Sequence, residues 1–161
     1  MEKYKILFWI LPISVLLHIT EEFIFPGGFM NWDREYRPGI NQKGHLRFLI
    51  IINVALFAIC FNPILSGFTS EGIEWWLSIV SILFVNSYFH IKGLMVLKKY
   101  SPGVVTSIII YVPLTIYGYW YFLSINKILI ITGILCFSIG IAYHLISTYN
   151  PLRRTTNIKK Q

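Results

Sequence analysis

His18, Glu21 and Glu22 stand together near the end of an apolar run, Tyr4 to Phe25, built largely from Ile, Leu, Phe, Val and Trp. Spacings of three and four residues put both carboxylates beside the imidazole on one face of a helix. Histidine and glutamate are ligands that zinc accepts, and they also form a proton-moving pair at neutral pH. Ionisable side chains at the bilayer centre cost about 2.5–3.5 kcal/mol each on insertion scales, and less near the interface. Groups retained there against that cost mark a place to look for function.

Further along, the apolar runs carry Asn53, Asn86, His90, Thr106 and His144. One reading is a metal site: His18, Glu22 and His90 as ligands of zinc or another divalent ion, with a fourth position left for water. Glu21 or Glu22 then serves as general base, and Asn86 orients a ligand or polarises a carbonyl. The spacing is neither His-Glu-x-x-His nor its inverted form, so no known protease motif supports it. The similarity to intramembrane prenyl-protein proteases, which also set glutamates and histidines within helices, is loose. A second reading needs no cofactor: a glutamate–histidine pair doing acid–base chemistry on a lipid-like substrate, as in a membrane isomerase. A third is a proton or ion carrier, for which five helices would have to assemble as a homo-oligomer. The plain alternative has Glu21 and Glu22 snorkelling to headgroups or pairing with Arg34 or Arg37. His45 and His144 read most simply as interfacial residues.

The elements that position these groups follow from composition. The chain has 161 residues, 55% hydrophobic and 13% charged, with a mean hydropathy of +0.62. Ordinary soluble domains carry about a quarter charged residues. A net charge of +7 would suit nucleic acid, but the basic residues flank apolar runs and form no patch with interleaved aromatics, so nucleic acid is excluded as a partner. Cys60 and Cys136 lie inside apolar segments with no zinc-like spacing. The predicted fold is all-α: a polytopic bundle of about five transmembrane helices, near 5–24, 47–67, 75–97, 103–123 and 127–148, in a single domain 1–149 with a mobile tail at 150–161. No small-x-small cleavage site follows the first run, which reads as a retained helix.

Orientation follows from the basic residues. Of the 14 Lys and Arg, only Lys3, Lys5 and Lys127 fall on the N-terminal side. Positive-inside puts the N-terminus outside the cell membrane and the C-terminus in the cytoplasm. At about 1.5 Å per residue, His18, Glu21, Glu22, His90, Asn53 and His144 then lie roughly 20–26 Å below the outer face, one polar layer drawn from several helices. Small residues at Gly93, Gly133 and Gly140 mark close helix approach. The Trp75-Trp76 pair reads as an interfacial belt at the entry of the third span, and Trp120 with its neighbouring tyrosines as belt residues of the fourth. The 25–46 connection, rich in aromatics, charges, Pro and Gly, suits the headgroup region, as a lid or as an anchor. The turn Tyr100-Ser101-Pro102-Gly103 opens the fourth helix with Pro102 at its first position. Its free N–H groups suit an anionic headgroup, making Tyr100, Gly103, Thr106 and Asn53 candidate substrate contacts.

His18-x-x-Glu21-Glu22, His90 on a helix carrying Asn86, and Tyr100-Ser-Pro-Gly103 together resemble the HXXEE-domain family of small bacterial membrane proteins, over about residues 7–123. The run from Asn86 through Thr106 is its most specific part, matching in order and spacing. The resemblance implies a membrane enzyme or transporter-like core and names no reaction. The expectation is a small membrane enzyme, a metal-dependent hydrolase or an acid–base isomerase, working among membrane lipids on a lipid-like or membrane-presented substrate. The competing class is a non-catalytic carrier or immunity-type membrane protein.

Overall fold

A computed structural model describes the backbone of residues 2–38 and 42–158 and the side chains of 5–38 and 44–147. It is helical throughout, with no strand among the described residues. The elements are α1 (Glu2–Phe23), α2 (Phe29–Tyr36), α3 (Gln42–Ile59), α4 (Asn62–Ser66), α5 (Ser70–Leu97), α6 (Val104–Ser124) and α7 (Ile130–Ile158). Five stretches are long and apolar enough to cross a membrane: Lys5–Phe23, Gly44–Ser66, Ser70–Leu97, Val104–Ser124 and Ile130–Ser147. The second joins α3 and α4 through a break at Cys60-Phe61, beside Pro63, whose ring and missing N–H interrupt a regular helix. The tail expected at 150–161 lies outside the described side chains, and the backbone continues α7 to Ile158.

α5 is the central span, packing against α1, α2, α4, α6 and α7. Of its most apolar window 44% is buried, and of that of α1 50%, against 17% for the α3–α4 and α7 spans, whose large side chains (Ile50, Ile51, Ile134, Leu135) face outward. In a bilayer those faces meet lipid, and helix association rests on close packing rather than on hydrophobic burial. The helix starts at Ser70, five residues before the expected entry, because the Thr69 hydroxyl caps it by accepting from the Gly72 N–H at 3.1 Å. A hydropathy window cannot register a polar first turn.

The belt reading of Trp76 is corrected. Trp76 is fully buried and donates its indole N–H to the Leu7 carbonyl at 3.0 Å. Gly118 of α6 leaves the notch: a Cβ there would sit 1.9 Å from the ring. Trp75, beside it, is the one turned partly outward. Trp120 is exposed, but Tyr119 turns inward, its hydroxyl 2.8 Å from that of Ser81 and donating to the Gly133 carbonyl. Gly140 brings α7 onto the backbone of α5 at Ser81, where a Cβ would meet backbone at 2.5 Å.

Two irregularities serve the polar end. α6 begins at Val104, after Gly103 at φ 96°, and not at Pro102. Within it, Ser107–Tyr111 forms a π-turn one turn ahead of Pro113, which cannot donate to the Ile109 carbonyl; widening the helix accommodates the ring. Meanwhile α2 folds back over α5. The Trp32 ring fills a notch at Gly93, where a Cβ would lie 2.2 Å from it, and stacks on His90 at 6.1 Å and 23°. α2, within the 25–46 connection, therefore covers His90.

Candidate metal centre

Helix periodicity sends Glu21 and Glu22 in different directions. Glu21 reaches the start of α6, where four donors meet its two oxygens. Oε1 accepts from the Tyr100 hydroxyl at 2.6 Å and the Val105 N–H at 2.9 Å; Oε2 accepts from the Thr106 N–H at 2.7 Å and its hydroxyl at 2.6 Å. The anion that this helix N-terminus holds is the protein's own carboxylate, which uses both the orphan N–H groups and the helix dipole. Tyr100 and Thr106, expected to contact substrate, are committed to Glu21. Partial burial and the hydrogen bond to Glu21 push the Tyr100 phenol above its ordinary value, so it stays a donor.

Glu22 faces the imidazoles. Its Oε1 lies 3.4 Å from His18 Nε2 and 3.2 Å from His90 Nε2. Ligand atoms at 2.0–2.1 Å on a tetrahedral ion stand about 3.3 Å apart, so these separations match two edges of a zinc-sized polyhedron. One atom from each of His18, Glu22 and His90 falls within 4.8 Å of the others, and all three residues are buried. Among the described residues Glu22 forms no ion pair with Arg34 or Arg37, and Arg37 pairs instead with Asp33.

The tautomer of His18 follows from its neighbours. The Thr106 hydroxyl has one hydrogen and sits 2.6 Å from the Glu21 carboxylate but 3.2 Å from the Gly103 carbonyl, so it donates to Glu21. His18 Nδ1, 2.7 Å from that hydroxyl, must then be the donor. In the neutral ring this leaves the Nε2 lone pair aimed at Glu22 and Asn86. Glu21 thus acts on the cluster through Thr106, in the way carboxylates orient metal-binding histidines. His90 has an analogous partner, the Ser101 hydroxyl, 3.3 Å from its Nδ1. Asn86 Nδ2 lies 3.1 Å from His18 Nε2 and 3.3 Å from His90 Nε2, so it touches both.

Gly103 lies against the cluster itself. A Cβ there would come within 2.7 Å of His18, 2.8 Å of His90 and 3.1 Å of Glu22. Only a glycine lets the chain lie against the cluster at this φ. Asn53 stands apart from the cluster. With His144 it lines a cavity of about 90 Å³ that opens beside Glu22 and Asn86, bounded by Ile52, Leu56, Ile82 and Phe89.

Several residues at the site carried no signal in the sequence. Tyr111, brought round by the π-turn, packs its ring 4.7 Å from that of His18. Phe29 and Trp32 cover His90. Ser101 was visible as part of a turn but not as a histidine partner. His45 is buried against Asp33 at 2.9 Å, not interfacial. His144 is half-buried on the cavity wall, with Phe89 6.1 Å away.

Residues 9–118, two thirds of the chain and every residue of the cluster, match the family model described as "Protein of unknown function with HXXEE motif". No curated protein and no solved structure matches the chain.

Proposed function

For this chain, which belongs to the family of proteins of unknown function with an HXXEE motif, we propose a multi-pass membrane enzyme that holds one divalent metal, zinc by ligand type, on His18, Glu22 and His90. The observation that carries the reading is the pair of 3.4 and 3.2 Å separations around Glu22 Oε1, together with the lone pair that Thr106 fixes on His18 Nε2. A carboxylate and a lone pair aimed at one point call for a cation between them. Bound there, a divalent ion supplies Lewis acidity and lowers the pKa of a water at its open position.

The chain's own groups divide the remaining work. Asn86, at the cavity mouth, would release the two Nε2 atoms when an ion takes their lone pairs, and its amide then turns to offer Oδ1, since the two ends of the group exchange by a half rotation. Glu21 keeps both oxygens occupied and acts as a positioning residue. Trp32 and Phe29 keep water from the His90 side. The substrate is lipid-like and enters from the apolar side of the cavity, and the bias of Lys and Arg among the loops supports a site at the cytoplasmic face of the cell membrane.

Asn86 favours a second reading, because its two amide hydrogens could satisfy both Nε2 atoms with no ion present. Glu22 and His18 would then be an acid–base pair, in an isomerase or, within an oligomer, in a proton carrier. Elemental analysis of protein purified without added metal or chelator decides. One equivalent of metal in wild type, lost in folded His18→Ala and His90→Ala, is the expected result. Metal-free wild type that still takes up no added zinc would sink the metal reading, and Glu22-dependent proton flux in liposomes would establish the carrier.

A further inference from the structure

The cavity beside Glu22 has a second polar end, built by residues outside the His/Glu cluster. Asp33 of α2 is fully buried. Its Oδ1 accepts from both Nε and Nη2 of Arg37, and its Oδ2 lies 2.9 Å from His45 Nε2. Arg37 is held a second time by lying over the Phe89 ring at 4.7 Å. A carboxylate in front, a ring beneath and a histidine behind make a rigid cation, and both Arg37 and His45 line the cavity. A further fact points to a ligand. Arg37 Nη2, which can only donate, lies 3.2 Å from His45 Nε2, and Asp33 Oδ2 has no hydrogen-bond partner among the described residues. With Nε2 the acceptor, the ring hydrogen of His45 sits on Nδ1. That atom is buried with no partner among the described residues, where an anion would accept from it.

The opposite wall is apolar: Leu49, Ile52 and Leu56 from α3 face Ile82 from α5. A volume of about 90 Å³ exceeds what one water needs and suits a small polar headgroup. The outward exposure of α3 leaves the apolar side toward the membrane.

We propose that this cavity binds an amphiphile with an anionic oxygen headgroup, phosphate or carboxylate, held by Arg37 and His45 with its chain along Leu49, Ile52 and Ile82. The proposal rests on the enzyme reading only in placing a bond near the headgroup against Glu22; the anion subsite itself needs no metal. Arg37 presents a planar fork that matches two anionic oxygens, and lysine would not replace it. Asp33 is a positioning residue that aims it.

The test uses the full chain in nanodiscs, with dodecyl phosphate, dodecanoate, dodecanol and inorganic phosphate as probes, read by quenching of tryptophan emission. Dodecyl phosphate or dodecanoate should bind wild type at least tenfold tighter than dodecanol or inorganic phosphate does. Arg37→Gln should lose that margin, and Arg37→Lys should recover only part of it. Ile52→Phe, which fills the apolar wall away from Asp33 without adding a fluorophore that the assay reads, should also lose it, which covers the case in which Arg37→Gln misfolds. His18→Ala, which removes a metal ligand, should bind the anionic amphiphile as wild type does, so failure of the metal reading leaves this result standing. Equal binding of dodecanol, equal binding of inorganic phosphate, or unchanged binding in folded Arg37→Gln would each overturn the proposal.

Discussion

Glu21 and Glu22 are neighbours in sequence and opposites in surroundings. Four donors close every bonding direction of Glu21 against the start of α6. Glu22 meets only ring nitrogens that carry lone pairs or shared protons, and it faces a cavity. The first arrangement is complete within the protein; the second is the one to which the proposed function assigns a cation. A buried polar group fully satisfied is structural, and one left short is where a ligand or a proton belongs. One step of about 100° around α1 separates the two roles.

The largest expected effect tests that division directly. Glu22→Gln or His90→Ala should reduce bound metal from one equivalent per chain to less than about a tenth, because a three-ligand site loses a ligand outright. Glu21→Gln should keep most of the metal, with affinity weakened about 10–100-fold through Thr106 and His18. Metal analysis by plasma mass spectrometry on folded protein measures both. Equal loss in the two variants would erase the distinction.

Gly103→Ala attacks both neighbours together. The left-handed backbone at φ 96° and a Cβ 2.7–2.8 Å from two imidazoles should destabilise the fold by about 1–3 kcal/mol. Metal should be lost as well, since the rings must move apart. Thermal unfolding in detergent, followed with and without zinc, is the measurement. A variant that melts as wild type and binds zinc normally would show that the turn does not pack as described.

Thr106→Val is smaller and more selective. It keeps shape but removes the hydroxyl that links Glu21 to His18, so zinc affinity should fall about tenfold, at the lower end of what an orienting partner contributes. Loss of the hydrogen bond to a charged group should lower stability by about 1.5–3 kcal/mol, less whatever water restores.

Tyr100→Phe should have the least effect, because the phenol is 43% exposed and water can replace part of what it gives Glu21. Its signature is in pH. Burial first, then the bond to Glu21, raises the phenol above its unfolded value of 10.0. A raised folded value means that the folded state holds the proton more tightly. The stabilisation is therefore full below pH 10 and disappears as pH climbs through the folded value. Wild type should lose its stability advantage over Tyr100→Phe across that alkaline range, and tyrosinate absorbance should show one late-titrating group that the variant lacks.

The comparison also separates what residue types disclose from what they hide. The five spans were legible because leaving apolar side chains in water, or charges in hydrocarbon, is a cost that accumulates along the chain. His18, Glu22 and His90 were legible as exceptions to it. Which helix ends carry polar first turns was not, and Ser70 with its Thr69 cap shows why: hydropathy averages over a cap. Trp76 had the composition of a belt residue, and only Gly118, forty-two positions later, reveals the notch that buries it. Asp33 and His45 lie in a segment already polar, so their burial left no contrast to detect. The free helix N-terminus after Gly103 is legible as a place for an anion, but which anion is not: in the structure Glu21 takes the Val105 and Thr106 N–H groups.

By itself, then, the sequence determined that the chain is a helical membrane protein of the HXXEE family with histidine and glutamate at membrane depth, because transfer between water and lipid acts residue by residue. Tertiary structure alone decided that Glu21 closes α6 while Glu22 turns to the histidines, that Thr106 sets the His18 tautomer, and that Asp33 aims Arg37 into the same cavity. Those outcomes depend on the rotation of each helix about its axis relative to the others. That rotation is set by packing at Gly93, Gly103, Gly118 and Gly140, between residues far apart in the chain.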